Sequence, residues 1–160
     1  MNNIPLHPMV VHFPIVLSVL LPLFAFGALW IANRRGYSGA RTWVIPAALA
    51  VALAGSAFAA MRTGENEEER VENVVAENVL HQHEAAAERF LAIAAVVAVV
   101  GLLGFVRGTA GSAARLVATA GSLVILLAGF QVGKAGGELV YEHNAASAYV
   151  NGAPAGDNAG

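Results

Sequence analysis

The sequence predicts an all-α integral membrane protein, built as a four-helix bundle. Of its 160 residues, 57% are hydrophobic and 12% charged, and the mean hydropathy is +0.61, which is unlike a soluble domain. Four apolar runs, at about 9–32, 43–60, 86–106 and 113–132, are each near the ~20 residues that cross a hydrocarbon core of ~30 Å. Residues 1–144 are therefore expected to form one membrane domain with the lipid bilayer as its solvent.

Several function classes are excluded by composition. The chain has no cysteine, which removes disulfides, thiolate metal sites, iron–sulfur clusters and covalently attached haem. The net charge of −2 and the scattered basic residues predict no nucleic-acid partner. The sequence contains no nucleophile–base pairing, phosphate-binding loop or dinucleotide fingerprint. An electron carrier or complex subunit is therefore favoured over a stand-alone enzyme.

The first apolar run begins with a segment rich in histidine and proline, which contains His7, Pro8, His12 and Pro14. Imidazole is costly at the edge of a nonpolar phase unless something binds it. The two histidines are therefore candidate functional residues. Pro22, in the middle of the run, is expected to kink the helix.

The segment between the second and third runs, about 67–83, is predicted to form an amphipathic helix outside the membrane. Its apolar stripe continues to His83, and its polar stripe continues to His81. The apolar stripe consists of Val71, Val75 and Val79, and the polar stripe of Asn73 and Glu77. His83 is expected to face the apolar body of the protein and His81 to face water.

The fourth run ends in three glycines spaced by four, Gly129, Gly133 and Gly137. A row of small residues lets another helix or a flat cofactor approach closely, and it could also serve as the contact of a homo-oligomer. If the helix continues, His143 lies on one face with Leu139, near the membrane surface. Residues 145–160 are expected to form a flexible tail.

Charge predicts the orientation of the chain in the membrane. The connections after the first and third runs, together with the start of the fourth run, carry five arginines and no acid, so the positive-inside rule places this side in the cytoplasm. Both termini and the connection between the second and third runs are then expected outside, on the periplasmic face of a bacterial inner membrane. All eleven acids and all five histidines lie on that side. The arginines are Arg34, Arg35, Arg41, Arg107 and Arg115.

Three motifs resemble those of a known family. They are Leu6-His7-Pro8 with Val11-His12-Phe13-Pro14-Ile15, then His83-Glu84, then Gly136-Gly137-Glu138-Leu139-Val140-Tyr141-Glu142-His143. In this order, over about 6–143, the chain resembles the bacterial membrane proteins called domain of unknown function 2231. Members are small four-span proteins, sometimes fused to or encoded beside Rieske or cytochrome c modules. The resemblance therefore implies redox work, and it singles out His7, His12, His83 and His143.

Three functions remain open for these four histidines. The first is a b-type cytochrome, whose histidines bind one or two haem b groups near the periplasmic face and exchange electrons with a cytochrome c, a Rieske protein or a quinone. The second is an accessory subunit of a membrane redox complex, without a cofactor of its own. The third is a non-haem copper, zinc or iron site. The candidate cofactor-binding residues are His7, His12, His83, His143, Gly129, Gly133 and Gly137, and the candidate metal ligands are the same four histidines.

Overall fold

The computed structural model describes residues 6–36, 38–67, 75–143 and 145. Throughout these residues the regular structure is helical, which confirms the all-α prediction. The helices are α1 (His7–Val10), α2 (His12–Arg35), α3 (Gly39–Thr42), α4 (Val44–Glu65), α5 (Glu77–Leu103) and α6 (Thr109–Tyr141).

Four long helical segments meet the length and hydropathy expected of membrane spans. They are His7–Arg35, Gly39–Glu65, Glu77–Leu103 and Thr109–Tyr141, and only 22–33% of their most apolar windows is buried inside the protein. The remaining apolar surface includes side chains as exposed as Leu127 at 67% and Phe130 at 74%. Such a surface is typical of helices that face an apolar environment, and these four helices could therefore span a membrane.

Prolines and glycines account for where the helices begin and end. Pro14 and Pro46 lie in the first turns of α2 and α4, where a missing N–H breaks no helical hydrogen bond. Gly36 ends α2 in the left-handed conformation at φ 63°, which favours glycine. The α2 helix continues through Pro22. Within it the Ser18 hydroxyl donates to the Ile15 carbonyl at 2.7 Å.

The four long helices pack as an up-down-up-down ring, in which α2 contacts α4, α4 contacts α5, α5 contacts α6 and α6 contacts α2. The core at their centre is rich in alanine. In lipid the hydrophobic effect does not drive helices together, so they associate through close packing, which small side chains allow. Its buried alanines are Ala25, Ala28, Ala47, Ala50, Ala57, Ala94, Ala98 and Ala118, packed around Leu21, Leu53, Phe90, Val97 and Ile125.

Both short connections lie at one end of the bundle, which we call the arginine end. There the Arg115 guanidinium on α6 donates to the Gly104 carbonyl at 2.7 Å. The Trp43 indole donates to the Gly101 carbonyl at 2.8 Å. The opposite end, which we call the histidine end, holds α1, the end of α4, the start of α5 and the end of α6.

The start of α5 differs from the predicted amphipathic helix over 67–83. Residues 68–74 lie outside the described residues, and Ala76 is extended at ψ 133°. The segment 77–83 forms the first two turns of α5 rather than a separate helix. Three consecutive alanines, 85–87, favour an uninterrupted helix at the predicted junction. The predicted tail lies outside the described residues except for Ala145.

Candidate functional site

Two of the predicted histidines meet inside the histidine end. The imidazole rings of His7, from α1, and His83, from α5, have centroids 6.4 Å apart and planes at 86°. Both residues are half-buried. The chain thus brings together two imidazoles that are 76 positions apart in the sequence.

The hydrogen bonds of His7 determine which ring nitrogen carries the proton. Its Nδ1 lies 2.8 Å from the Ala60 carbonyl oxygen and 3.3 Å from the Thr63 hydroxyl. Because a carbonyl oxygen only accepts, the geometry assigns the proton to Nδ1. The lone pair of Nε2 then stays available to a ligand. A backbone carbonyl bonded to one ring nitrogen is the arrangement that orients histidines at metal sites.

The first turn of α1 is also held by the end of α4. The Glu67 carboxylate accepts hydrogen bonds from the backbone N–H groups of Leu6 at 2.7 Å and His7 at 3.3 Å. These bonds supply partners for helix N-terminal donors, which would otherwise lack them. The backbone and the ring of His7 are therefore both positioned by α4 and its C-terminal turn.

The imidazole of His83 has an unsatisfied nitrogen. Its Nδ1 is buried and has no hydrogen-bond partner within the described part of the chain. A buried polar atom without a partner costs about 1–3 kcal/mol, and such atoms in proteins call for an explanation. This nitrogen is therefore available to a ligand as far as the described residues are concerned.

Two glycines make room for the two imidazoles. A Cβ atom at Gly64 would lie 3.2 Å from Cε1 of His7, and one at Gly136 would lie 3.2 Å from Cε1 of His83. Neither belongs to the predicted row of Gly129, Gly133 and Gly137, although Gly136 lies within the third motif. The sequence contains no signal that pairs Gly64 with His7, because the contact depends on how α1 folds against α4.

The predicted glycine row does not line this histidine pair. Gly129 packs against Phe90 and Ser18 in the core, and a Cβ atom at Gly133 or Gly137 would have no atom of the described structure within 4 Å. The latter two glycines therefore face open space. A role for them in binding a cofactor stays a prediction.

The other histidines lie on the surface. His12 is exposed, and His143 is exposed beyond the end of α6 at Tyr141. The expected position of His143 depended on a longer α6, but α6 ends two residues before His143. His81 is exposed between the carboxylates of Glu77 at 3.3 Å and Glu84 at 3.0 Å. This position confirms the predicted helix phase, with His81 in water and His83 turned inward.

No group of three or more His, Cys, Asp or Glu side chains is arranged to hold a metal ion in the described ranges. Of the four predicted histidines, the structure brings together the rings of His7 and His83. A role for His12 and His143 as further ligands beside this pair stays a prediction.

A small apolar cluster covers the same end of the bundle. Val75 and Ala145 pack with Leu139 of α6, and Val79 of α5 packs against them. The Ala145 N–H donates to the Leu139 carbonyl at 3.0 Å. The chain segments before α5 and after α6 are thus fastened to each other next to the histidine pair.

Comparisons with known proteins identify a family. A family model described as a predicted membrane protein, DUF2231, matches residues 3–148. Neither a search of curated proteins nor a search of solved structures returns a match. The family match covers nearly all of the chain and includes all five histidines, so this chain belongs to the DUF2231 family of predicted membrane proteins.

Proposed function

We propose that this protein is a membrane-bound b-type cytochrome in which the imidazoles of His7 and His83 would hold one haem. The separation of the two rings carries the proposal. Haem iron takes histidine imidazoles as protein ligands, so two imidazoles that lie close together on different helices would be able to hold it. The centroids of His7 and His83 are 6.4 Å apart.

The number of ligands favours haem over a non-haem metal. Zinc sites use three or four protein ligands, whereas haem iron takes four nitrogens from its porphyrin and needs only axial ligands from the protein. In the described residues two imidazoles meet, and no third His, Asp or Glu joins them to form a metal-binding group. That count matches the axial requirement of one haem.

The polar atoms of the pair support the same assignment. His7 presents Nε2 because Nδ1 is bonded to Ala60, and His83 contains a buried nitrogen that lacks a partner. When bound, haem would supply one-electron redox chemistry at this site. The chain would hold it through the two imidazoles, while the Ala60 carbonyl and the Thr63 hydroxyl keep the His7 ring in orientation.

The charge distribution supports a site on the periplasmic face of a bacterial inner membrane. The arginine end fits the cytoplasmic side under the positive-inside rule, and the histidine end then lies outside. A haem there would exchange electrons with a periplasmic or membrane redox protein, such as a cytochrome c or a Rieske protein, or with a quinone. The acids near the site, including Glu84 and Glu142, would favour a basic partner surface.

A second candidate is an accessory subunit without a cofactor. It is favoured by the bond between His7 Nδ1 and the Ala60 carbonyl, which ties α1 to α4 whether or not anything else binds. In that case the histidines satisfy polar groups near the membrane surface and hold the helices in place.

The visible spectrum of the purified protein tests the proposal. We expect about one haem per chain in detergent after supplementation with haem, with a Soret band and an α band in the reduced state. His7→Ala and His83→Ala should each abolish or shift these bands, because each removes one axial ligand. His81→Ala is the matched control, since this histidine lies on the same helix but is exposed, and it should keep the wild-type spectrum.

Two outcomes would contradict the haem proposal. One is folded, helical protein with no Soret band at any haem concentration, which favours the accessory subunit if elemental analysis also finds no metal. The other is a wild-type spectrum in both His7→Ala and His83→Ala. A spectrum lost in His12→Ala or His143→Ala would instead assign the ligands to the surface histidines.

A further inference from the structure

The arginine end carries a feature that the haem proposal does not use, an apolar groove between α2 and the start of α4. Its volume is about 400 Å³, and its walls include Phe24, Gly27, Ile31 and Ile45. The groove opens on the outer surface of the bundle, where Ile45 is 54% exposed. It therefore faces the membrane rather than the helix core.

A glycine accounts for part of this space. A Cβ atom at Gly27 would have no atom of the described structure within 4 Å. The side chains around it are almost wholly apolar, with Thr42 as the exception. An apolar concave surface next to lipid excludes water and suits a hydrocarbon chain.

Three arginines flank the groove residues in the sequence. Arg34 and Arg35 are the last residues of α2, one helical turn beyond Ile31. Arg41 lies on α3, four residues before Ile45. All three side chains are exposed. Helical geometry thus places three cations beyond the groove, where a hydrocarbon chain lying in it would end.

The ion pairs of the described residues do not involve these arginines. The first acid in the chain is Glu65, at the far end of α4. The ion pairs of the described residues all lie toward the histidine end, on α4, α5 and α6. The positive charge at the groove mouth is therefore free to bind an anion from outside the chain.

We propose that this groove binds one anionic phospholipid. An acyl chain lies against Phe24, Gly27 and Ile45, and the phosphate is bound by Arg34, Arg35 and Arg41. Guanidinium groups bind phosphate through paired N–H donors, and basic pockets between membrane helices bind anionic headgroups. This lipid site lies at the opposite end of the bundle from the histidine pair and does not depend on haem.

Native mass spectrometry of the detergent-solubilised chain tests the proposal with two lipids of the same chain length. We expect dioleoylphosphatidylglycerol to bind at one lipid per chain and more tightly than dioleoylphosphatidylcholine. The triple variant Arg34→Gln/Arg35→Gln/Arg41→Gln removes three guanidinium charges that would bind the headgroup. It should weaken phosphatidylglycerol binding about a hundredfold, at about fivefold per arginine. Gly27→Leu should weaken the binding of both lipids, because the leucine side chain fills the groove.

Each variant has a matched control. Arg107→Gln removes an exposed arginine from the other connection at the same end, and Gly55→Leu adds a leucine at another helical glycine with no atom within 4 Å of its Cβ position. Both should bind like the wild type. Equal binding of the two lipids by the wild type, or equal losses in the controls, would overturn the proposal. So would a wild-type dimer that Gly27→Leu dissociates, since a second copy would then occupy the groove.

Discussion

Gly136→Leu is expected to abolish haem binding while the bundle stays folded. A Cβ atom at this position would lie 3.2 Å from Cε1 of His83 and 3.6 Å from its Nδ1. The branched end of a leucine would therefore occupy the space of the imidazole and push it away from His7. Losing the groups that orient a metal ligand costs about 10–100-fold in affinity, and displacing the ligand itself is expected to cost at least as much.

The neighbouring glycine is the control for this substitution. Gly137→Leu adds the same side chain one residue later, where a Cβ atom has no described atom within 4 Å, and it should bind haem like the wild type. Haem titration followed at the Soret band measures both variants. Equal loss in the two would support the predicted glycine row as the cofactor wall, and full binding by Gly136→Leu would refute the role of His83.

Trp43→Ala is expected to be the most destabilising single substitution at the arginine end. Trp43 is 2% exposed and belongs to the core. Its indole donates to the Gly101 carbonyl at 2.8 Å and contacts Gly104 so closely that a Cβ atom there would clash with it. Truncating a buried tryptophan costs about 3–5 kcal/mol in free energy of unfolding, and a similar loss is expected here.

The other tryptophan of the chain is the matched control. Trp30 is 57% exposed to the surrounding lipid, so Trp30→Ala should change the free energy of unfolding by less than about 1 kcal/mol. Trp43→Phe keeps a ring but loses the hydrogen bond, and it should cost about 1–3 kcal/mol. Unfolding by sodium dodecyl sulfate in mixed micelles, followed by circular dichroism, gives all three values. Similar losses for Trp30→Ala and Trp43→Ala would contradict the packing described for Trp43.

The sequence predicted the spans because the features that define them are local. An apolar run such as 113–132 identifies itself by hydropathy over about 20 residues. The phase of His81 and His83 was equally predictable, because residues of one helix repeat every 3.6 positions. The first residue of α5 was harder to predict from the sequence. Whether 77–83 joins the third span or forms a separate helix depends on tertiary contacts as much as on helix propensity.

The candidate site was only partly predictable. The sequence analysis singled out both His7 and His83, and the structure places their rings side by side. The sequence could not show which ring nitrogen of His7 carries the proton. That assignment depends on the Ala60 carbonyl, which is 53 residues away in the chain. The position of His143 was predicted only for a helix that continues to it, and α6 ends at Tyr141.

By itself, the sequence predicted four membrane spans, with arginine-bearing connections that contain no acid at one end and the acids and histidines at the other. Hydropathy and charge act through the solvent, so each residue contributes to them whatever its neighbours are. Only the tertiary structure decided that His7 meets His83, that Gly64 and Gly136 give their rings room, and that Trp43 bonds to Gly101. These contacts join residues more than 50 positions apart, and they arise from how closely packed helices fit together.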